Sequence, residues 1–187
     1  MTIGKTPPRA NKECFTRNED DIKWVSISDL GKSGLYVWNT AEKLTHNAIE
    51  KYNVKIIPKD TILLSFKLTI GRTGFTTADM TTNEAIAHII PINPSMRNYL
   101  YYALSNYNYK NLGSTSSIAN AINSKIVKSM KIGIPDQDSL NLFNNLAEPI
   151  LGAIRNNELE NIFLSNIRDT ILPKLISGEI NLENIDE

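Results

Sequence analysis

Residues 136–177 read DQDSLNLFNN LAEPILGAIR NNELENIFLS NIRDTILPKL IS, and this stretch decides the architecture. Gly152 is its only glycine, and apolar residues recur in it at the three- and four-residue spacing of one helix face. This stripe, the predicted dimer or partner interface, comprises Leu142, Leu146, Ile150, Ile154, Leu164, Ile167 and Ile171. The pattern predicts one long helix over residues 136–178, followed by an acidic tail over residues 179–187.

A helix of about 40 residues is about 60 Å long, which exceeds the width of an ordinary domain of this size. It must therefore project or fold back. A projecting helix needs a second helix to cover its stripe. Asn157 and Asn161 interrupt the stripe, and polar residues at such positions are typical of helices that pair in a single register. The alternative is a helix kinked at Pro149 or Pro173 and packed on its own domain.

The preceding 135 residues alternate short strand-like and helix-like segments. Alternation and β-branched residues predict strands over residues 22–30, 61–66, 68–76, 85–90 and 130–134. Capping residues predict helices over 44–52 after Thr45, over 95–106 after Ser95, and a short one from Asn123. The fold class is therefore α+β: a domain with a twisted, mostly antiparallel sheet and short helices, followed by a long C-terminal helix of the coiled-coil type.

The formal net charge of zero hides a division between these two parts. Residues 1–135 contain 17 Lys and Arg against 10 Asp and Glu, and residues 136–187 contain 3 against 10. Such asymmetry indicates a first part that faces nucleic acid and a second part that faces protein. The alternative is that both parts are merely solvated surface.

The sequence offers no set of catalytic or cofactor-binding residues. A single cysteine, Cys14, and two histidines, His46 and His88, exclude a zinc cluster of four cysteines and argue against a Cys/His metal site. Phosphate-binding, dinucleotide-binding and nucleophile-elbow motifs are absent, and both histidines are expected to be structural. No apolar run has the roughly 18 residues of a membrane span. We expect a cytoplasmic protein without catalytic residues, bound metal or cofactor.

Polar, partly basic loops remain as candidates for DNA contact. Lys and Arg neutralise phosphates, and Asn and Arg can also read base edges. The predicted DNA-binding residues are Thr6, Arg9, Lys67, Thr69, Arg72, Asn83, Thr115 and Ser116. For Asn83 the alternative role is that of a turn residue that caps the segment after it.

Several segments carry a resemblance when they are taken together and in order. They are GKTPPR (4–9), IKWVSISDL (22–30), IPKDTILLSF (57–66), TIGR (69–72), TNEAIA (82–87), YLYY (99–102), GST (113–115) and IRDTILPKLISGEI (167–180). In this order they resemble the specificity subunits of type I restriction-modification systems. That family commonly carries arginine and glycine where Lys67 and Leu68 stand, which favours a phosphate contact over a guanine contact for Lys67.

The resemblance implies a DNA target recognition domain over residues 1–135 and a spacer or dimerisation helix over residues 136–178. The domain would read one half of a bipartite site in double-stranded DNA, and the helix would dock on modification (methyltransferase) subunits. Those subunits would bind S-adenosylmethionine, and a restriction subunit would join the full complex.

A full specificity subunit resembles two such units in tandem. This chain would therefore be a half-subunit that forms a homodimer, or a fragment of a longer subunit. A regulatory or capping protein that does not read DNA is the alternative function, and a small metal-dependent nuclease is a more distant one.

Overall fold

The computed structural model describes residues 1–112 and 123–180, and the chain divides into two compact units, Met1–Glu148 and Pro149–Glu187. The strands are β1 Thr2–Ile3, β2 Phe15–Thr16, β3 Ile22–Val25, β4 Tyr36–Val37, β5 Glu42–Leu44, β6 Ile62–Ser65, β7 Thr73–Thr76, β8 Thr81–Thr82 and β9 Ile86–Ile89. The helices are α1 Ile27–Lys32, α2 His46–Lys51, α3 Met96–Ser105, α4 Ser124–Lys128 and α5 Gln137–Ile176, with 3-10 turns at Lys12–Cys14 and Tyr109–Leu112.

The strands form two sheets, where the sequence had predicted one. The five-stranded sheet has the order β1-β9-β6-β7-β4, and the four-stranded sheet has the order β2-β5-β3-β8. Pairing is antiparallel except for β4 with β7 and β3 with β8, so the mostly antiparallel α+β class is confirmed. The sequence did not indicate the second sheet, because its strands are only two to four residues long and their partners are not adjacent in the sequence.

Two clusters of buried apolar residues pack against the sheets. The larger one lies between the sheets and α1 and contains Val25, Leu30, Val37, Ile57, Leu63, Met80 and Ile86. The smaller one lies under α2 and contains Trp24, Leu44, Ile49 and Val54. Since Trp24 and Val25 are consecutive in β3, their side chains point to opposite faces of its sheet, and each face has its own core.

The predicted strand over residues 22–30 ends early, because a capping box starts α1. The Ser26 side chain accepts from the Asp29 backbone N–H at 3.1 Å, and Asp29 Oδ2 accepts from the Ser26 N–H at 2.9 Å. These two reciprocal bonds satisfy helix N–H groups and override the alternating pattern of Ser26, Ile27 and Ser28. Asp29 Oδ1 also accepts from the Ala41 N–H at 3.1 Å and thereby fastens α1 to the segment before β5.

The predicted strand over residues 130–134 is wrong. This segment has no ladder partner among the described residues, and it runs beside α3, where Tyr99 donates to the Gly133 carbonyl at 2.7 Å. The helix predictions after Thr45 and Asn123 are confirmed, with the Thr45 side chain accepting from the Ala48 N–H. Ser95 precedes α3 as predicted but makes no capping bond.

The long helix is confirmed as α5, and it begins at Gln137 and ends at Ile176. Pro149 and Pro173 both lie inside it, so neither marks an end of the helix. No helix in residues 1–112 or 123–180 combines the length and the apolar character that crossing a membrane requires.

Candidate nucleic-acid interface

The chain's first turn is pressed against the segment that joins β8 to β9. The Gly4 N–H donates to the Ile86 carbonyl at 3.1 Å, and the Lys5 N–H donates to the Thr82 carbonyl at 2.9 Å. A Cβ at Gly4 would lie 2.2 Å from the Asn83 carbonyl oxygen, so only glycine permits this approach. The two segments are thereby held together although they are about 80 residues apart in the sequence.

Thr6, Lys67 and Glu84 meet where these segments cross. The Thr6 hydroxyl donates to the Glu84 carboxylate, and the Phe66 N–H donates to the Ala85 carbonyl at 3.0 Å, which brings Lys67 alongside. The pKa of Glu84 lies below its ordinary value, chiefly because of the Thr6 hydrogen bond and further because of the positive charges of Lys67 and Arg9. Glu84 therefore stays ionised among predicted DNA contacts. We refer to Thr6, Lys67, Asn83 and Glu84 as the Glu84 surface.

Asn83 has the local role that the sequence analysis gave as its alternative. Its Oδ1 accepts from the Ala85 N–H at 3.1 Å, and its own N–H donates to the Val25 carbonyl at 3.0 Å. An asparagine needs both its amide oxygen and its amide nitrogen for a bidentate contact to adenine. The Ala85 bond uses one of the two lone pairs of Oδ1, so Asn83 offers its amide nitrogen and the second lone pair for recognition.

Thr69 and Arg72 lie in the loop between β6 and β7, residues 66–72, which we call the β6–β7 loop. Ser65 closes it: its hydroxyl donates to the Thr69 carbonyl and accepts from the Arg72 N–H at 3.0 Å. The Arg72 guanidinium turns towards α1 and donates to the Ile27 carbonyl at 3.2 Å. Arg72 is thus partly engaged within the fold.

Arg9 is engaged more fully than the sequence indicated. Its guanidinium carbon lies 4.0 Å from the centre of the Phe15 ring and 4.6 Å from the Trp24 ring, and its Nη1 is 2.8 Å from a Glu42 carboxylate oxygen. The aromatic faces and the carboxylate fix the direction of the planar group. About half of the side chain remains exposed, so outward N–H groups are still available to an anion.

The excess positive charge of the first part is not all surface charge. Lys43 is buried, and its Nζ lies 2.6 Å from a Glu19 carboxylate oxygen, which makes a close ion pair. Lys23, opposite Lys43 in the sheet, donates to the Trp38 carbonyl, and burial together with the Lys43 charge lowers its pKa. Both lysines serve the fold, which composition alone could not indicate.

The predicted contact residues thus divide into groups. Thr6, Lys67 and Asn83 come together, Thr69 and Arg72 share the adjoining loop, Arg9 is held by two rings and a carboxylate, and Thr115 and Ser116 lie outside the described residues. Glu84 is not among the residues predicted from the sequence, because no local pattern indicates that Thr6 donates to it. Within the described ranges, no three His, Cys, Asp or Glu side chains are grouped as metal ligands.

The predicted helix stripe is largely uncovered. Its exposed members are Leu142, Leu146, Ile150, Leu164, Ile167 and Ile171, and Ile154 is half-buried. A different face of α5 packs on α3: the Phe143 ring lies 6.0 Å from that of Tyr99, and the Asn144 amide donates to the Ser95 carbonyl at 2.8 Å. The start of α5 therefore follows the alternative of packing on its own domain, while the stripe stays open.

Comparison with known proteins places the chain in a family. Residues 1–140 match the type I restriction modification DNA specificity domain, and the chain belongs to this family. It is 28% identical over 184 residues to the "Type I restriction enzyme HindI specificity subunit" of Haemophilus influenzae, covering 96% of this chain and 39% of that protein. It is 32% identical over 100 residues to the MjaIX specificity subunit of Methanocaldococcus jannaschii, covering 53% of this chain and 22% of that protein.

Solved structures show the same fold at low identity. A chain from a structural study of assembly and conformational transition in the type I R-M system superposes with a TM-score of 0.62 at 16% identity, over 92% of this chain and 42% of that one. The HsdS subunit from Thermoanaerobacter tengcongensis gives 0.58 at 17% identity, over 95% and 42%. The chain spans about two-fifths of the length of the HindI subunit and of both solved chains.

Proposed function

We propose that the protein reads one half of a bipartite DNA target for a type I restriction-modification complex and has no catalytic role of its own. The family match over residues 1–140 is the observation that carries this proposal. The Glu84 surface supports it, because Lys67 can neutralise a phosphate beside hydroxyl and amide groups suited to base edges. The ionised Glu84 would repel phosphate and accept a hydrogen bond from a cytosine amino group.

The catalytic partner would be a modification subunit, which would bind S-adenosylmethionine and methylate adenine in the cytoplasm, and a restriction subunit would complete the assembly. The test is a map of adenine methylation in cells that express a cognate modification subunit, with and without this chain. A bipartite motif that appears only with the chain is the expected result. Unchanged methylation despite co-purification of the two proteins would overturn DNA reading and favour a regulatory or capping role.

For α5 we propose pairing with an antiparallel copy in a homodimer, and docking of the paired helices on the modification subunits. The exposed stripe supports this, because a helix face with this spacing of Leu and Ile is stable in water when another helix covers it. A two-fold dimer places two identical domains on the DNA, so the motif in the methylation map would be palindromic.

Ile167→Asp is the test of the homodimer, with Asn166→Asp as its matched control. Ile167 lies on the stripe, and its side chain is 53% exposed, so the single chain loses little packing of its own. Asn166 is exposed on another face and receives the same added charge. Ile167→Asp should weaken dimerisation about 100-fold or more in light scattering, because a carboxylate would be buried unpaired. Equal dimerisation of both variants, or a strictly monomeric parent at tens of micromolar, would contradict the proposal.

A further inference from the structure

Leu68, in the β6–β7 loop, has a backbone conformation that leucine rarely adopts. Among the described residues, three that are not glycine have positive φ: Asn53 at 50°, Asp60 at 64° and Leu68 at 61°. Asparagine and aspartate tolerate this left-handed region, whereas a bulky side chain is strained there. The Leu68 backbone is therefore strained, and glycine at this position would be less strained.

Packing within the chain does not offset this strain. The Leu68 side chain is 93% exposed, whereas Leu63 and Leu64 in the preceding strand are fully buried. An exposed leucine gains nothing from the hydrophobic effect until another surface covers it. Because strained residues gather at functional sites, a contact outside the chain is the natural reason for a leucine here.

The backbone on both sides of Leu68 is held in place. The Ser65 hydroxyl makes the two hydrogen bonds described above, and the Ser65 backbone makes two more. Its carbonyl accepts from the Gly71 N–H at 3.0 Å, and its N–H donates to the Arg72 carbonyl at 2.9 Å. The Thr69 N–H donates to the Lys67 carbonyl at 2.7 Å, directly across Leu68. The side chain is therefore presented from a backbone that is already ordered, which reduces the entropy lost on binding.

The surroundings of Leu68 favour DNA over a protein partner. Lys67 beside it is exposed and carries a positive charge, and Thr69 follows it. Both chain neighbours of Leu68 are therefore polar, whereas a protein-binding surface presents a contiguous apolar patch. Phe66 is bonded to Ala85, which connects the loop to the Glu84 surface. The apolar group that a base edge displays in the major groove is the 5-methyl group of thymine.

We propose that Leu68 determines specificity by contacting the 5-methyl group of a thymine in the major groove while Lys67 binds a neighbouring phosphate. The proposal rests on the proposed reading of DNA and names one of its contacts. It adds a residue that the composition of polar loops could not indicate.

The test uses the chain bound to its modification subunit and a pool of duplexes with a randomised segment. After a motif is enriched, each thymine in it is replaced in turn by deoxyuridine, which lacks the 5-methyl group alone. The parent should lose roughly fourfold in affinity at one thymine, as expected for burying one methyl group. Leu68→Ala should bind the thymine duplex with a similar loss and show no further loss with deoxyuridine at that position.

Two further variants separate this role from misfolding and from charge. Leu68→Gly relieves the strain, so it should unfold at the same temperature as the parent or higher while losing the same discrimination. Lys67→Ala should weaken binding to all sequences alike, reduce its salt dependence and keep the sensitivity to deoxyuridine.

The outcomes distinguish this proposal from the proposed function. If the parent enriches a motif but Leu68→Ala keeps the sensitivity to deoxyuridine, or if the motif has no thymine, the Leu68 proposal fails and DNA reading stands. If the parent enriches no motif, DNA reading fails and the Leu68 contact with it. Leu68→Ala that binds DNA normally but loses the modification subunit would assign the residue to a protein contact and overturn the proposal.

Discussion

The two compact units place their large apolar side chains in opposite ways. In Met1–Glu148 the bulky residues fill two cores, and Phe75 and Leu44 are almost entirely buried. In Pro149–Glu187, about a fifth of the chain, eight of the sixteen exposed large apolar side chains among the described residues are found. The first unit therefore buries most of its large apolar residues within one chain, whereas the second needs a surface from elsewhere. Stability should accordingly reside in the first unit and assembly in the second.

Phe75→Ala and Phe163→Ala make the same chemical change in the two units. Phe75 is 2% exposed and lies 4.8 Å, centre to centre, from the Tyr101 ring, so its loss should cost about 3–5 kcal/mol of unfolding free energy. Phe163 is 59% exposed, and its loss should cost less than about 1 kcal/mol in a dilute, monomeric sample. Chemical denaturation monitored by circular dichroism measures the unfolding free energy of both variants, and equal losses would contradict the predicted difference between the two units.

The pH dependence of stability should also come from the first unit, which holds both histidines. Burial, with smaller contributions from the Lys55 and N-terminal charges, lowers the pKa of His88 to about 4 from 6.5. Its neutral ring bonds to the Thr2 and Thr82 hydroxyls at 3.1 and 2.7 Å. Since the unfolded chain binds the proton more readily, this contribution is complete above pH 6.5 and is lost as the pH falls towards 4, by about 3 kcal/mol in all.

Denaturation at a series of pH values measures this loss, and His88→Gln is the matched variant. Glutamine keeps hydrogen-bonding groups but does not titrate, so the slope between pH 6.5 and 5 should flatten. A His88→Gln protein whose stability falls as steeply as that of the parent would assign the slope to other groups.

Asp29→Ala and Asp169→Ala compare a buried carboxylate that caps a helix with an exposed carboxylate on a helix surface. Asp29 completes the capping box of α1 and accepts from Ala41, so its removal should cost about 2 kcal/mol. Asp169 pairs with its exposed neighbour Arg168 at 2.8 Å, and its removal should leave the unfolding free energy unchanged within error. Thermal unfolding distinguishes the two, and a substantial loss in Asp169→Ala would show that the second unit has stabilising contacts of its own.

The sequence predicted those elements whose signals are local. β6, β9, α2 and α5 carry periodicity or caps within their own residues, and all four were predicted. The strand at residues 22–30 failed because a capping box competes with alternation, and the one at 130–134 failed because strand-like residues need a ladder partner. The meeting of Thr6 with Glu84 and the stacking of Arg9 on Phe15 and Trp24 depend on tertiary approach, which no spacing in the chain reveals.

The pairing of β1 with β9 limits how early the protein can complete its fold during synthesis. Thr2 lies opposite His88, so the first strand has no partner until 86 further residues have been synthesised, about 4–17 s at ordinary rates of translation. The second sheet also has a distant pairing, since Trp24 in β3 lies opposite Thr81 in β8, and such contacts form slowly. The open stripe of α5 is made only after β9 has been completed. A nascent chain therefore has time to complete its own core before it presents the surface proposed to bind another chain.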